Sequence, residues 1–553
     1  MPSVDTASAI LSSLDALGVT HVLYCPGSRS APFAYALEAG SFGGDARPIL
    51  DERGAGFAAV GLARTGALPA IVVTSGTAVA ELAPAVLEAS HARLPLLVLS
   101  ADRPGELRGV GASQATDQAG FFGTHVRASI DLEPQEASPS LVGHLARAVA
   151  AACGAPSGTP GPVQINVAFR DPLTPVRPTS DSGDEAVAPF VPRPTRVVAA
   201  FPVPARWEDV VGRADAGLIV AGEGASPRAR EWSEASGFPL LAEPASGAWS
   251  GGGVTPFEQS LVSSLRGREV DAVVVTGRPT LSRPIQALLA RPDVRVVVVD
   301  PHTPWVDISG NASVVVADLE PAREPIHAAQ AEWSSRVREA ARDAGERIES
   351  MLASGSGRTM LDLARRVAAS TSGPLVLGAS NPVRAFDLAV PTLEGRIVHS
   401  SRGQAGIDGT IATAVGICLG SGYAGEASVP AGTRVTAIMG DLTACHDASS
   451  LALAASVGAH LDIIVADDQG GGIFATLEHG RAASAEAYDR WFGLAQSVDY
   501  EALAAAYGVA FARADAPREL ESLLAHPVAG PRLIHAPVER AAHLYPAIRD
   551  VLS

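Results

Sequence analysis

The chain has 553 residues, of which 47% are hydrophobic, 18% are charged and 5% are aromatic. At roughly 150 residues per domain this length predicts three or four domains, and the apolar fraction excludes a disordered protein. The 42 basic residues stand against 59 acidic ones, and the net charge of −17 argues against DNA or another large polyphosphate as a partner.

All of the basic residues are arginine, because the sequence contains no lysine. Chemistry that needs a lysine amine is therefore excluded, including Schiff-base formation and phosphate binding by a P-loop lysine.

The four cysteines (Cys25, Cys153, Cys418 and Cys445) are far apart in the sequence. No two of them have the short spacing of a zinc or redox motif, so we interpret them as thiols in a reducing compartment. The first 15 residues lack the basic region of a secretory signal, and no apolar run approaches the ~20 residues of a membrane span. We expect a cytoplasmic protein without a membrane span.

The first third of the chain alternates short apolar runs with alanine-rich stretches. We predict strands at residues 21–25, 70–74, 94–100 and 163–169, and helices at 52–65 and 78–90. Continuous apolar strands separated by helices are typical of a parallel sheet covered on both faces.

Residues 172–194 are rich in Pro, Ser, Thr and Asp, which predicts a linker. Two further blocks follow, with strands predicted at 218–221, 272–276, 294–300, 375–377, 396–399, 435–439, 461–466 and 532–535, and a charged helix at 322–352. The sequence thus predicts an α/β protein with three open, mostly parallel-sheet domains, at residues 1–185, 186–350 and 351–553. Ligands of such sheets bind beyond the carboxyl ends of the strands.

The third block carries the sharpest functional signal. Its predicted strand 435–439 runs directly into Asp441, and Asp468 follows the next predicted strand, 461–466. Adjacent parallel strands would bring both carboxylates to one sheet edge, where hard oxygen ligands and a glycine-rich turn suit Mg²⁺ (or Mn²⁺) holding a diphosphate. A helix predicted to begin near His446 would add its N-terminal dipole.

A simpler explanation is that the two aspartates cap helices, which is common in α/β proteins. The occurrence of both Asp441 and Asp468, each after a predicted strand and with this spacing, favours the metal site. The expected cofactor-binding residues here are Gly440, Asp441, Leu442, Asp468 and Gly470, of which Asp441, Asp468 and Gly470 are the candidate metal ligands.

This spacing resembles the signature of the thiamine diphosphate-dependent enzymes. In that family a glutamate before a helix of the first domain bonds N1′ of the aminopyrimidine, and Glu52 has this setting. A carboxylate there would stabilise the protonated N1′ and promote the imino tautomer. Alone, Glu52 would be a first-turn acid favoured by the helix dipole. Together with the diphosphate signature, we interpret it as catalytic and cofactor-binding.

Four segments narrow the resemblance further, at residues 25–30, 100–104, 111–114 and 401–409. They resemble the 2-succinyl-5-enolpyruvyl-6-hydroxy-3-cyclohexene-1-carboxylate synthases of menaquinone biosynthesis (the MenD family), from near residue 20 to about residue 480. The resemblance implies a transferase that decarboxylates 2-oxoglutarate on thiamine diphosphate and adds the resulting carbanion equivalent to isochorismate.

The resemblance also implies the substrate site, in which arginine would pair bidentately with the substrate carboxylates. The implied substrate-binding residues are Ser28, Arg29, Arg103, Gln114, Arg283, Ser380, Arg384, Arg402, Ile473 and Phe474. The further implied cofactor-binding residues are Ser75, Gly76, Thr77, Ser380 and Ile407. Arg283 aligns loosely and is equally well explained as a solvated surface charge, and Ile407 could be ordinary core packing.

Two features depart from the pattern of related enzymes. Asp468 stands where many thiamine diphosphate enzymes have Asn, and we prefer it to the neighbouring Asp467 as a ligand on spacing alone. Residues 222–225 (Gly-Glu-Gly-Ala) do not complete a dinucleotide fingerprint, so we expect a central Rossmann-like domain without a cofactor.

In this superfamily the cofactor lies between the first domain of one subunit and the third domain of another. We therefore expect a homodimer with shared active sites and a tetramer of two such dimers. Two other functions stay open: another thiamine diphosphate-dependent 2-oxoacid decarboxylase or acetolactate-type synthase, and a non-catalytic paralogue. The number of arginines at strand ends favours the synthase of dicarboxylic acids.

Overall fold

The computed structural model describes residues 3–175, 191–195, 197–251, 253–264, 269–422 and 432–552. The predicted linker falls mostly on residues 176–190, which lie outside the described residues, as does the predicted boundary at 185/186. The chain divides into two compact units: Met1–Phe201 with Ile411–Gly432 and Ser449–Val457, and Pro202–Thr410 with Thr433–Ala448 and Gly458–Ser553.

The first unit contains a six-stranded parallel sheet with the strand order β2-β1-β3-β4-β6-β5. Its strands are β1 His21–Tyr24, β2 Asp45–Pro48, β3 Pro69–Val73, β4 Leu96–Asp102, β5 Ala128–Leu132 and β6 Pro162–Ala168. The helices of this part of the sequence are Ser3–Ala16, Ala31–Glu38, Glu52–Arg64, Thr77–Ala80, Ala83–Ala92 and Pro139–Ala152. Every residue of β3, β4 and β6 is buried, as expected for central strands covered on both faces.

The second unit contains two parallel sheets. The first has the order β11-β10-β9-β7-β8 and consists of β7 Gly217–Ala221, β8 Leu240–Ala242, β9 Ala272–Thr276, β10 Arg295–Val299 and β11 Ala312–Val316. The helices around this sheet are Trp207–Val210, Ala229–Ser236, Glu258–Ser264, Arg283–Leu289 and Ala328–Ala353.

The other sheet of this unit has the order β13-β12-β14-β15-β17-β16. Its strands are β12 Leu375–Leu377, β13 Val398–His399, β14 Val435–Gly440, β15 Leu461–Asp467, β16 Ala510–Arg513 and β17 Arg532–Pro537. The helices of this part of the sequence are Met360–Ser370, Asn381–Ala389, Thr410–Leu419, Asp441–His446, Ser450–Ser456, Gly472–Ala475, His479–Ala482, Ala485–Tyr488, Tyr500–Ala506, Pro517–Ala525 and Leu544–Arg549.

These three sheets confirm the predicted α/β architecture, whereas the division at residues 185/186 and 350/351 stays a prediction. Three helix predictions were wrong in their bounds. The helix predicted near His446 begins at Asp441 and ends at His446. The helix predicted at 78–90 is two helices, because Pro84 lacks the N–H that would continue the first one. The long helix begins at Ala328, where the His327 ring caps it by accepting from the Gln330 N–H.

Among the described residues, no helix is both long and apolar enough to cross a membrane.

Candidate functional site

Three carboxyl groups lie at one edge of the sheet β12–β17. Strands β14 and β15 pair in parallel with Gly440 opposite Ala466, so their carboxyl ends are side by side. Asp441 follows the first strand and is 2% exposed, while Asp467 ends the second strand and Asp468 follows it. We call Asp441, Asp467 and Asp468 the acid edge.

The acid edge combines burial with like charges, and the positive charge of Arg540 offsets them only in part at Asp468. The pKa of Asp441 is raised to about 6, mainly by burial; the charge of Asp467 acts in the same direction, and the Leu442 and Gly470 N–H groups act against it. Burial and the Asp441 charge raise the pKa of Asp468 to about 7. Asp441 Oδ1 accepts from the Leu442 N–H at 2.8 Å, but Oδ2 is buried and makes no hydrogen bond. A bound divalent cation would supply both a partner for this oxygen and the missing charge.

The two neighbouring aspartates at the end of β15, Asp467 and Asp468, have different surroundings. Asp467 Oδ1 accepts from the Gln469 N–H at 2.9 Å, and Oδ2 pairs with His535 Nε2 at 2.9 Å, which lowers the pKa of Asp467. Asp468 Oδ2 instead lies over Gly472, where a Cβ atom would come within 1.8 Å of it. Asp467 is thus committed to protein partners, which favours Asp468 as the ligand.

The backbone after Asp468 forms a turn that requires glycine. Gly470 has φ +129°, and a Cβ atom there would lie 2.0 Å from the Gly493 carbonyl oxygen. The Gly471 N–H donates to the same oxygen at 2.5 Å, and the Tyr488 hydroxyl donates to the Gly471 carbonyl at 2.9 Å. The chain around residues 488–493 therefore fixes the turn, and with it the direction of the Gly470 carbonyl.

Hydrophobic residues follow the turn. Ile473 and Phe474 lie in the short helix Gly472–Ala475 and are half-buried, and the Phe474 ring lies 5.6 Å from the Phe492 ring.

The donor set at this edge fits magnesium with a diphosphate better than a metal held by protein alone. Among the described residues, no group of three or more His, Cys, Asp or Glu side chains is arranged to hold a metal ion. Magnesium usually takes one or two carboxylates and completes its shell with phosphate oxygens and water. Asp441, Asp468 and the Gly470 carbonyl could supply the protein part of such a shell.

Two arginines converge beside the carboxyl end of β12. Arg384 Nη1 donates to the carbonyls of Ala379 (3.1 Å) and Ser380 (2.8 Å), and Arg402 Nη1 donates to the Ala379 carbonyl at 3.4 Å. Arg402 Nη2 also donates to Thr280 Oγ1 at 2.9 Å. Burial, and then the like charge of Arg402, lower the pKa of Arg384 to about 10. Two cations kept this close and largely buried are suited to binding an acid.

The other predicted residues of this unit have surroundings that give weaker support to a role in binding. Arg283 is close enough to lower the pKa of Arg384, but its side chain is 66% exposed and pairs with Glu478 at 3.5 Å. Ser380 precedes the helix Asn381–Ala389 without a side-chain cap bond, and Ile407 is half-buried in the loop before Thr410.

In the first unit, a hydrogen-bonded group brings together Arg103, Ser75 and Gln114. Arg103 Nη1 donates to Ser75 Oγ at 2.6 Å and to the Gln114 carbonyl at 2.8 Å, and Gln114 Nε2 donates to the Ser75 carbonyl at 2.9 Å. Burial and the charge of Arg29 lower the pKa of Arg103. Arg29 itself donates to the Phe169 carbonyl at 3.0 Å.

Three further predicted residues of the first unit are Gly76, Thr77 and Ser28. Gly76 has φ +83°, and a Cβ atom there would lie 2.9 Å from Gln114 Cγ. Thr77 begins the helix Thr77–Ala80, and Ser28 is exposed after β1.

Glu52 begins the helix Glu52–Arg64, but a different residue caps that helix. The Asp51 carboxylate accepts from the N–H groups of Arg53 and Gly54, and its second oxygen accepts from Ser449 Oγ at 2.9 Å. Burial, and after it the charges of Glu52 and Asp51, raise the pKa of the Cys25 thiol. Because Asp51 serves as the cap, the Glu52 carboxylate is not needed for that purpose.

Sequence reasoning missed two residues that hold the predicted ones. Arg540 donates from Nε to the Asp468 carbonyl at 2.8 Å and also to the Gln469 carbonyl. Gln118 accepts from the Gly76 N–H at 3.3 Å. Arg540 follows the carboxyl end of β17, and this placement was the signal that could have identified it.

Comparison with known proteins gives two matching domain families. Residues 4–121 match the thiamine pyrophosphate enzyme, N-terminal TPP binding domain, and residues 385–536 match the thiamine pyrophosphate enzyme, C-terminal TPP binding domain.

Relatives named 2-succinyl-5-enolpyruvyl-6-hydroxy-3-cyclohexene-1-carboxylate synthase are similar over nearly the whole chain. The protein from Nocardioides sp. is 40% identical over 97% of this chain and 95% of its own length. The protein from Kineococcus radiotolerans is 41% identical over 95% and 94%, and that from Renibacterium salmoninarum is 38% identical over 100% and 97%, respectively.

Proposed function

The chain belongs to the 2-succinyl-5-enolpyruvyl-6-hydroxy-3-cyclohexene-1-carboxylate synthase family of thiamine diphosphate-dependent enzymes, and we propose that it performs this family's reaction. It would decarboxylate 2-oxoglutarate and join the remaining four-carbon unit to isochorismate, as a step of menaquinone biosynthesis. The product keeps every carbon of isochorismate and four of the five carbons of 2-oxoglutarate, and the fifth leaves as carbon dioxide.

The observation that carries this proposal is the convergence of Arg384 and Arg402 on the Ala379 carbonyl, beside the carboxyl end of β12, a strand of the sheet that bears the acid edge. A buried cationic pair suits substrates with several carboxylates. An enzyme for pyruvate, which has one carboxylate, would need fewer such cations.

Thiamine diphosphate, when bound, supplies the carbon nucleophile and the electron sink for decarboxylation. We assign the diphosphate end to Asp441, Asp468 and the Gly470 carbonyl through Mg²⁺ or Mn²⁺, with Gly440 and Leu442 contributing backbone groups. The unpartnered Asp441 Oδ2 supports this assignment.

At the other end of the cofactor, Glu52 would hold the proton at N1′ of the aminopyrimidine. Its freedom from helix capping supports this role, since the Asp51 carboxylate accepts from the Arg53 and Gly54 N–H groups. Residues 75–77 would line the pyrimidine, and Ile407 would pack an apolar side chain under the cofactor.

We assign the substrate carboxylates to the arginines of both units. Arg29 and Arg103 would act with Ser28 and Gln114, and Arg384 and Arg402 would act with Ser380 on the other unit. Arg283 would contribute only from the exposed rim, because its side chain is 66% exposed. Ile473 and Phe474 would exclude water from the acceptor side.

We further propose a homodimer with shared active sites, and a tetramer of two dimers, by analogy with the superfamily. A cytoplasmic location is proposed because Cys25, Cys153 and Cys445 carry free thiols.

The test is a donor and acceptor comparison with the purified enzyme, Mg²⁺ and thiamine diphosphate. We expect carbon dioxide from 2-oxoglutarate and, only when isochorismate is added, a product whose mass equals the sum of both acids less carbon dioxide. Turnover with pyruvate alone would instead support a smaller-acid decarboxylase or acetolactate-type synthase. Absence of cofactor binding in calorimetry would support a non-catalytic paralogue.

A further inference from the structure

We propose that Glu243 is a positioning residue for Arg402, acting through the loop that carries Thr280 and Leu281. The inference rests on the proposed function, which gives Arg402 a substrate to bind. According to this proposal, the sheet β7–β11 supports a substrate-binding residue beside the sheet β12–β17 of the same unit.

Glu243 is held rigidly where it follows β8. Its side chain is buried, with the residue 3% exposed, and its N–H donates to the Ala221 carbonyl at 2.9 Å. Its Oε1 accepts from the Leu281 N–H at 2.6 Å. A buried backbone N–H that lost this acceptor would be left unsatisfied, so the loop would have to move or admit water.

The residue before Leu281 holds the arginine. Thr280 Oγ1 accepts from Arg402 Nη2 at 2.9 Å, so one peptide unit separates the amide that Glu243 fixes from the hydroxyl that fixes Arg402. The remaining hydrogen bonds of the Arg402 guanidinium are few, although the charges of Glu243 and Asp387 also act on it. Nη1 reaches the Ala379 carbonyl at 3.4 Å, and the buried Nε makes no hydrogen bond. The orientation of the guanidinium therefore depends strongly on Thr280.

A second buried glutamate offers a matched control. Glu258 is 2% exposed, and neither of its carboxylate oxygens makes a hydrogen bond. The charges that act on Glu258 are those of Asp387 and Glu243. The charges that act on Glu243 are those of Arg402, Asp387 and Glu223, so Arg402 acts on Glu243 but not on Glu258. Removal of Glu258 removes a buried acid from the same cluster without breaking the link to Arg402.

The experiment compares Glu243→Leu, Glu243→Gln and Glu258→Leu in the holoenzyme. We expect Glu243→Leu to raise the apparent KM for one of the two acids by about tenfold, the size expected when one hydrogen bond to a charged group loses its support, with kcat within about twofold. Glu243→Gln retains an oxygen acceptor and should restore KM to within about twofold. Glu258→Leu should leave both KM values unchanged.

Thr280 provides an independent check of the same chain of contacts. Thr280→Val should reproduce the KM effect and Thr280→Ser should not. The double variant Glu243→Leu/Thr280→Val should be no worse than the worse single variant, because both changes break one link. Unchanged KM values in a folded Glu243→Leu variant, or additive effects in the double variant, would overturn the proposal.

A crystal structure of Glu243→Leu separates this inference from the proposed function. If the wild-type enzyme turned over neither acid, the function would fail, but the loop could still be tested. A Thr280 Oγ1 to Arg402 Nη2 distance that stayed at 2.9 Å in that variant would refute the positioning role.

Discussion

At the scale of single residues, the acid edge is a place where burial and like charge act together. Asp441 and Asp468 both have raised pKa values, while Asp467 has a lowered one because His535 pairs with it. Identical side chains that are close in sequence thus have different chemical tasks available to them. Asp467 supports the turn, and Asp468 remains for a ligand.

The proposed role of Asp468 as a metal ligand can be tested apart from its charge. Asp468→Ala should weaken thiamine diphosphate binding in the presence of Mg²⁺ by at least about tenfold. Loss of a residue that only supports a metal ligand already has an effect of about this size, and loss of a ligand should cost no less. Asp468→Asn keeps an oxygen ligand and should bind within a few-fold of the wild type. Calorimetric titration at fixed Mg²⁺ measures both, with Asp343→Ala on an exposed helix face as control. Equal binding by wild type and Asp468→Ala would remove Asp468 from the metal site.

Glu52 allows a test of catalysis apart from binding. Glu52→Gln should bind thiamine diphosphate nearly normally but lower kcat by about 10²- to 10⁴-fold, because the neutral amide cannot stabilise a protonated N1′. The control is Glu38→Gln, an exposed residue at the end of the helix Ala31–Glu38. Near-normal turnover by Glu52→Gln would show that another group performs this task.

At the scale of elements, the helix Glu52–Arg64 and the helix Thr410–Leu419 cross within the first unit at two glycines. A Cβ atom on Gly61 would lie 2.1 Å from the Thr413 carbonyl oxygen, and one on Gly416 would lie 2.0 Å from the Ala58 carbonyl oxygen. Backbone on both sides leaves no room for a side chain. This crossing sets the position of the helix that begins with Glu52.

Alanine at either glycine should therefore be destabilising. Gly61→Ala and Gly416→Ala should each lower the free energy of unfolding by about 1–3 kcal/mol, the usual result of overpacking, and should reduce kcat. Gly143→Ala is the control, because a Cβ there meets only the flexible end of Arg147 at 3.4 Å; it should be neutral or stabilising by about 0.5–1 kcal/mol. Denaturant midpoints measure the differences. Midpoints of Gly61→Ala and Gly143→Ala that shift alike would contradict the close crossing.

The central strands of each sheet were predictable from sequence, and most edge strands were not. The strands that sequence reasoning missed are β2, β5, β8, β11 and β16, and all of them are edge strands. Edge strands such as β2 and β16 are partly exposed and mix polar with apolar residues, so they lack the continuous apolar run of a central strand. Strand β8 is buried but has only three residues.

The position of candidate site residues was predictable where they directly follow a strand within a short sequence motif, as Asp441 and Asp468 do. The contacts that hold those motifs were not predictable, because they join residues far apart in the chain. Asp51 accepts from Ser449, Arg540 donates to the Asp468 carbonyl, and Glu243 accepts from Leu281. Only the folded structure brings these partners together.

At the scale of the whole molecule, buried acids link stability to pH. Burial raises the pKa values of Glu243, Glu258 and Asp387. An acid whose folded-state pKa exceeds its unfolded value retains a proton that the unfolded chain releases. Its contribution is complete below the ordinary value of 4.5 for glutamate and is lost as pH rises toward the folded-state pKa.

Glu258→Gln should therefore flatten the pH dependence of stability. Relative to wild type, the variant should gain stability as the pH rises above the ordinary glutamate value of 4.5 toward the raised folded-state pKa, because the unfolded wild-type chain releases the Glu258 proton whereas the amide has no proton to release. Melting temperatures of both proteins across this range test the prediction, with the exposed Glu349→Gln as control. A difference between wild type and Glu258→Gln that did not change with pH would show that Glu258 keeps the same protonation state in the folded and unfolded chain.

The central claim is that one cofactor is held at its diphosphate by the acid edge and at its aminopyrimidine by Glu52. A crystal structure with Mn²⁺ and thiamine diphosphate tests it most directly, because anomalous scattering locates the metal. We predict manganese bound by the Asp441 and Asp468 carboxylates and the Gly470 carbonyl, with a Glu52 carboxylate of one subunit at hydrogen-bond distance from N1′. Manganese bound elsewhere, or an aminopyrimidine beyond the reach of Glu52 in every pairing of subunits, would contradict the account.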